Sequence, residues 1–503
     1  MKIKKEETKM NLKVSIKNIK CIKELKFDFP IEPGIYAITG ENGSGKSTLI
    51  SCASTVFYQM PMNEFFGYPE NSEIKFELDN KWKILTCNGS KWSKKASYEE
   101  LGISGFYEGS IIFGNRFKDT RFSIIKYLDS LTDSDMTKAS SFITQKLGEI
   151  LHNDSNYYGE LYELKPAIAK NLNVSRATFF SKNKQGEYIS QPRMSTGENL
   201  LLSILKSLSL LKNKRNNNSD RPCIVFLDEI ELALHSSALR RLILFLKEIA
   251  EELNLSIFFS THSIDLLREI KPQNIYYISR DFAENTMITN PCYPAYATRN
   301  LYGDDGFGND IVVLVEDDLA KLVIEKILLE KNIARNIRIK ILPTGGWTNT
   351  IAMAFDITTS NLLQKGTKLA VILDGDIKTQ VPDFIRNNKK YSGIKIDFLP
   401  IPSLEKYLKN KLLDKTDQNF FSFLDTYLFQ KRPLNEIINQ YKRDPKDIPD
   451  SDGKDFYGVL LNEIRSMRKD RDDLVDIVNR YIQQNETTKI EELENFFRDK
   501  IFN

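Results

Sequence analysis

The residues with the clearest capacity for chemistry stand at 40–48: Gly40-Glu41-Asn42-Gly43-Ser44-Gly45-Lys46-Ser47-Thr48. The spacing fits G-x-x-x-x-G-K-[ST], in which glycines let the backbone wrap a phosphate with its N–H groups turned inward. Lys46 is placed to neutralise β- and γ-phosphates and the Ser47 hydroxyl to reach Mg²⁺, while the helix that follows adds its positive N-terminal end. The plainer alternative is a glycine turn of no function. Asp228-Glu229 closes the apolar run Ile224–Leu227; the aspartate would hold Mg²⁺ through water and the glutamate would polarise the attacking water. Many buried strands end in acids, so this pair gains meaning only beside the glycine-rich motif. Ile257–Ser260 leads in the same way into Thr261-His262-Ser263, in a chain with only three histidines. Beside a nucleotide, His262 would contact the γ-phosphate; otherwise it is a structural histidine.

A second set of acids lies far downstream. Val312–Val315 ends at Glu316, and Leu369–Leu373 ends at Asp374-Gly375-Asp376. Parallel strands present their carboxyl ends on one side of a sheet, where ligands bind, so these three acids are expected to meet at one edge. Carboxylates that close repel one another unless a cation neutralises them. A hard, oxygen-rich cluster suits Mg²⁺ or Mn²⁺, which can activate water against a phosphodiester. Two basic clusters, Lys212-Asn213-Lys214-Arg215 with Arg221 and Arg465, Arg468, Lys469, Arg471, can contact phosphates or simply be solvated. Trp347 beside Gly346 can stack on a base or pack in a core.

These residues need elements to position them. Leu12–Ile19 and Leu25–Phe29 alternate apolar and polar residues as half-buried strands do, and Ile35–Thr39 reads as a buried strand entering the glycine turn. Ile74–Leu78 and Trp82–Leu85 form an expected hairpin around Asp79 and Asn80. Residues 120–172 carry helix-like apolar spacing and read as a helical insert. Strand–helix alternation follows: strand Cys223–Leu227, helix Ser237–Leu253, strand Ser256–Ser260, helix Ile264–Ile270 and strand Asn274–Ile278. It implies a parallel sheet with covered faces. The stretch Asp281–Asp310, rich in Asn, Gly, Pro and Tyr, reads as a linker. A second alternating set follows, with strands at Ile311–Val315, Ile337–Leu342, Leu369–Leu373 and Ile394–Pro400. The last ninety residues are charge-dense and read as mostly helical.

Bulk properties narrow the class. A chain of 503 residues with 41% hydrophobic and 28% charged residues is globular, of two or three domains. The net charge of +3, from 71 basic and 68 acidic residues, leaves nucleic-acid binding to local patches. Five scattered cysteines without a CxxC pair imply reduced thiols and a cytoplasmic location. The polar start MKIKKEETKM shows no signal peptide, and no run of 18 apolar residues is present, which excludes a membrane-spanning transporter subunit.

The first three hundred residues resemble an ABC/SMC-like P-loop ATPase. Met194-Ser195-Thr196-Gly197-Glu198 resembles the signature loop, Asp228-Glu229 the Walker B pair, His262 the switch histidine, and Glu231-Leu232-Ala233-Leu234-His235 the stretch that follows Walker B in SMC-like and overcoming-lysogenisation-defect (OLD) ATPases. The resemblance implies a head-to-tail homodimer in which Ser195, Gly197 and Glu198 of one protomer close the ATP site of the other. A Q-loop glutamine has no clear place; the strand Ile111–Phe113, followed by Gly114-Asn115, is where it is sought. The downstream acids resemble a Toprim domain, with Gly345-Gly346 after its second strand, and an ATPase followed by Toprim is the arrangement of OLD-family nucleases. That family implies Glu405 as a further metal ligand and Lys454 as a catalytic lysine. It places Asp317 and Ala320 where the family carries glycine and a second acid. The expected protein is α/β: an ABC-type P-loop ATPase over 1–303 with a helical insert at about 120–172, then a Toprim-like parallel α/β domain with a helical C-terminal region over 304–503. The implied activity is an ATP-regulated, metal-dependent DNA endonuclease of bacterial antiphage defence, with a possible defence partner protein or nucleoprotein and no membrane. Two alternatives stand beside it: an ATPase sensor or scaffold with an inert Toprim, and an RNA-cleaving effector.

Overall fold

The computed structural model describes residues 10–502 apart from 59–60, 98–100, 110–121, 173, 175–177, 184, 216–220, 282–284, 300–307, 334 and 445–447. The chain divides into two compact units between Asp304 and Asp305.

In the first unit the alternating segments become an antiparallel sheet. Leu12, Val14 and Ile16 are buried while Lys13 and Lys17 face solvent, so β1 (Asn11–Ile19) covers a core with one face only. It lies between β2 (Ile22–Pro30) and β4 (Ser72–Leu78), and β5 (Lys81–Cys87) and β6 (Trp92–Ala96) complete the order β2-β1-β4-β5-β6. The expected hairpin turns at Asp79, which takes φ +53°. The continuous apolar runs become central strands. β12 (Cys223–Leu227) and β13 (Leu255–Ser260) are buried throughout, between β3 (Gly34–Gly40) and β7 (Ser104–Glu108). With β14 (Ile275–Arg280) and β15 (Thr286–Thr289) the order is β15-β14-β3-β13-β12-β7, parallel except for the β14–β15 pair.

Helix α1 (Lys46–Ser54) packs on one face of this sheet, in a core shared with β1, β2 and β4. The other face is covered by α2 (Ser141–His152), α3 (Thr196–Arg215) and α4 (Ser236–Glu252). Two expectations change here. The insert is not helical throughout: β8 (Met136–Lys138) and β9 (Leu161–Leu164) join β10 (Phe179–Lys182) and β11 (Tyr188–Ser190) in the antiparallel order β11-β10-β9-β8. Strands of three and four residues are too short to register a period of two. Likewise, the described residues of 281–299 are more than a linker. Asp281 and Asn285 hydrogen-bond at the base of a hairpin, and β15 adds a strand to the sheet. Helix α3 ends at Arg215, and Lys212, Lys214 and Arg215 in its last turn favour the negative end of the helix dipole.

The second unit is built on four parallel strands, β16 (Ile311–Val315), β17 (Ile339–Pro343), β18 (Lys368–Leu373) and β19 (Ile396–Phe398), in the order β17-β16-β18-β19. Helix α5 (Asp318–Glu330) follows β16 and α6 (Trp347–Thr359) follows β17. Beyond β19 the regular elements among the described residues are helices and include α7 (Leu404–Lys409) and α8 (Lys454–Ser466). Trp347 packs edge-on to Phe384, with centroids 5.0 Å apart, so it takes the packing role. Among the described residues no helix is long and apolar enough to cross a membrane, and the five cysteines are free thiols.

Candidate nucleotide site and acidic sheet edge

The loop between β3 and α1 is already wound for a phosphate. Gly40, Gly43 and Gly45 have φ of 148°, 75° and 108°, values that side chains resist. A Cβ on Gly40 would stand 2.0 Å from the Ile278 carbonyl oxygen. Lys46 is buried and donates to the Gly40 and Glu41 carbonyls at 3.0 and 2.9 Å. Burial pushes its pKa down to about 8, against the opposing pull of Asp228, Glu229 and Glu231. An anion here would restore the charged form. Arg280, at the end of β14, donates to the Gly43 carbonyl. Thr48 is buried with its hydroxyl beside the Cys21 thiol, while Asn42 stays exposed at the loop's rim.

Parallel pairing of β12 beside β13, and of β13 beside β3, carries the distant motifs to this loop. Ser47 Oγ donates to Asp228 Oδ1 at 3.2 Å. Ser260 Oγ donates to the same oxygen at 2.5 Å and accepts the Glu229 N–H at 2.9 Å. Glu229 itself sits in the left-handed region, at φ 53°, a strained conformation for a residue with a side chain. The Ser47 hydroxyl and Asp228 carboxylate are oxygen donors of the kind a hard Mg²⁺ ion takes. The His262 backbone N–H donates to Glu231 Oε1 at 2.8 Å, and Thr261 Oγ1 donates to it at 3.0 Å. Burial, and then the Lys46 charge, lower the His262 pKa to about 4, so near neutrality the ring is an uncharged hydrogen-bonding group. Its Nδ1 is buried without a partner.

The signature segment is locally ordered. Ser195 N–H and Oγ both donate to Glu198 Oε2, at 2.8 and 2.7 Å, and the Glu198 N–H donates back to Ser195 Oγ at 3.2 Å. This reciprocal pattern opens α3 as a capping box does. Tyr158 OH donates to Glu198 Oε1 at 2.7 Å, tying the insert to the loop. Gly197 is needed for contact: a Cβ there would meet the Ala233 carbonyl at 2.8 Å.

A family model described as an AAA domain matches residues 13–271, just over half of the chain. The chain belongs to the AAA domain family. The first unit is similar in part to three solved structures. An SMC head bound to the C-winged helix domain of ScpA has 14% identity and TM-score 0.32, covering 55% of this chain and 96% of that one. The SMC head domain from Thermotoga maritima has 11% identity and TM-score 0.31, covering 56% and 99%. The ADP conformation of MJ1267, an ATP-binding cassette of an ABC transporter, has 15% identity and TM-score 0.27, covering 56% and 92%. No curated protein matches the chain. The AAA domain match ends before the second unit begins.

Reasoning from sequence gave no role to three residues of the AAA domain. Ser260 and Glu231 link the acidic and histidine loops; Ser260 was signalled only as the polar end of an apolar run, and Glu231 only as part of the stretch after Asp228-Glu229. Glu108 is the third. It ends β7, accepts the Asp228 N–H at its carbonyl at 2.9 Å, and accepts Ser203 Oγ of α3 at Oε2 at 2.5 Å. The segment searched for a Q-loop, Ile111–Phe113 with Gly114 and Asn115, lies outside the described residues.

In the second unit, adjacent pairing of β16 and β18 puts Glu316 beside Asp374, and Glu316 Oε1 accepts the Asp374 N–H at 2.9 Å. Gly375 cannot carry a side chain, because a Cβ would stand 2.5 Å from the Ile401 carbonyl and 2.8 Å from that of Leu399. Burial first, then Glu316, Asp317, Asp376 and Glu405, push Asp374 up to about 8. Glu316 and Glu405 are raised too, chiefly by burial. Glu405 is 6% exposed and its Oε2 has no hydrogen-bond partner. That donor chemistry fits a hard divalent ion. Yet the side chains do not close on one point: among the described residues no group of three or more His, Cys, Asp or Glu is arranged to hold a metal. Asp376 instead turns Oδ2 to Lys406 Nζ at 2.5 Å. Lys454 opens α8 next to Gly453, whose Cβ would stand 2.5 Å from the Glu405 carbonyl. Its own ammonium is largely exposed, 3.4 Å from Asp452.

Proposed function

We propose that this chain binds and hydrolyses ATP as an SMC/ABC-type P-loop ATPase, and that nucleotide governs a Mg²⁺- or Mn²⁺-dependent DNA endonuclease of the OLD type in its second unit. The carrying observation is the joining of Ser47, Asp228, Ser260 and Glu229 through hydrogen bonds across three elements. In this reading Lys46 and the loop N–H groups hold the phosphates, Ser47 and Asp228 hold Mg²⁺, Glu229 orients water, and His262 meets the γ-phosphate. Ser195 and Gly197 would serve the site of a second copy, making a homodimer of ATPase heads. The nuclease half rests on Glu316 and Asp374, which follow adjacent parallel strands, and on Glu405 of α7, which with Glu316 raises Asp374. Asp376 would join them as a metal ligand, and Lys454 would steady developing charge.

One observation favours the alternative of a sensor or scaffold with an inert second unit: Lys406 already neutralises Asp376. Nicking of supercoiled plasmid, with Mg²⁺ and with Mn²⁺, separates the two. The nuclease reading expects activity that disappears in Asp374→Ala and survives in Lys46→Ala where ATP only regulates. Plasmid left intact by wild-type protein under both ions supports the scaffold.

A further inference from the structure

At the end of the main sheet away from the nucleotide, the first unit carries a cleft of about 600 Å³ lined by Lys83, Lys94, Lys214 and Arg221, and among the described residues no carboxylate lines it. Its position follows from the topology. Residues 101–105 and Arg221 stand at the amino ends of β7 and β12, while Asp228 lies at the opposite, carboxyl end. Helices α1 and α3 begin at the phosphate loop and the signature segment respectively; Thr55–Tyr58, Leu211 and Lys214 bring their far ends to the cleft.

Helix carboxyl ends repel anions, and here that repulsion is covered. Lys83 Nζ donates to the Thr55 and Val56 carbonyls at the end of α1, and the last turn of α3 carries Lys212, Lys214 and Arg215. Burial lowers the Lys83 pKa to about 8, and the neighbouring Lys94 acts in the same direction. The cleft thus gathers positive charge at a cost that a bound anion would offset. Tyr58, 37% exposed, stands in the same wall. Cations that follow a backbone beside an aromatic face are the chemistry of single-strand recognition.

We propose that this cleft binds a single nucleic-acid strand, with phosphates on Lys94, Lys214 and Arg221 and a base against Tyr58. The test is fluorescence anisotropy of a labelled oligodeoxythymidylate with the full chain, without nucleotide or divalent ion, over about 0.05–0.2 M salt. Three phosphate contacts predict a slope of log affinity against log salt near −2. Lys94→Glu/Lys214→Glu/Arg221→Glu should bind at least about tenfold more weakly with a slope near zero, while its affinity for a fluorescent ATP analogue stays that of wild type and reports an intact fold. Tyr58→Ala should weaken binding by about tenfold. A triple variant with wild-type affinity and slope overturns the proposal, as does wild-type protein that binds no oligonucleotide at the lowest salt. Equal competition by a duplex of the same length overturns the single-strand assignment.

Discussion

Asp374 is the residue on which pH should act most visibly. Its folded pKa of about 8 stands above the ordinary 3.8, so the native state holds the proton more tightly than the unfolded chain. The stability it lends is therefore full below ~4 and is withdrawn as pH rises through about 8. Metal-free protein is expected to melt several degrees lower at about pH 8.5 than at about pH 6. Asp374→Asn should flatten that fall, and a melting profile that runs parallel to wild type would refute the assignment. At this scale the sequence was eloquent about residue types, since glycine spacing and acids closing apolar runs follow from what phosphates and cations require. It gave no role to Ser260, Glu231 or Glu108, because a serine or glutamate acquires its role only from the elements beside it.

At the scale of elements, backbone proximity decides what each turn tolerates. The D-G-D turn after β18 runs against the Leu399 and Ile401 carbonyls. Gly375→Ala should destabilise the protein by about 1–3 kcal/mol in chemical denaturation. The cause is overpacking against main chain, which cannot rotate away; an unchanged midpoint would show that the turn relaxes. Continuous runs such as Cys223–Leu227 and Ile311–Val315 were legible as buried strands because both faces of a parallel sheet are covered. The insert was less legible. Its cores are small, as in the cluster of Leu128, Met136, Leu164 and Phe180, and short strands and short helices share similar apolar spacing there.

For the whole molecule, Glu229→Gln should slow hydrolysis while keeping ATP bound. Light scattering is then expected to find ATP-dependent dimers of about twice the monomer mass, absent in Lys46→Ala. A variant that stays monomeric with ATP bound would remove the shared-site arrangement. Taken alone, the sequence determined the phosphate loop, the acids that close its strands and the alternation that makes parallel sheets, because these depend on local stereochemistry and on periods of two or 3.6 residues. Only the tertiary structure decided that Ser47 meets Asp228, that Asp376 faces Lys406, and that Lys83, Lys94, Lys214 and Arg221 share one cleft. Those contacts join residues dozens to hundreds of positions apart, and strand order and helix ends, which no local pattern encodes, bring them together.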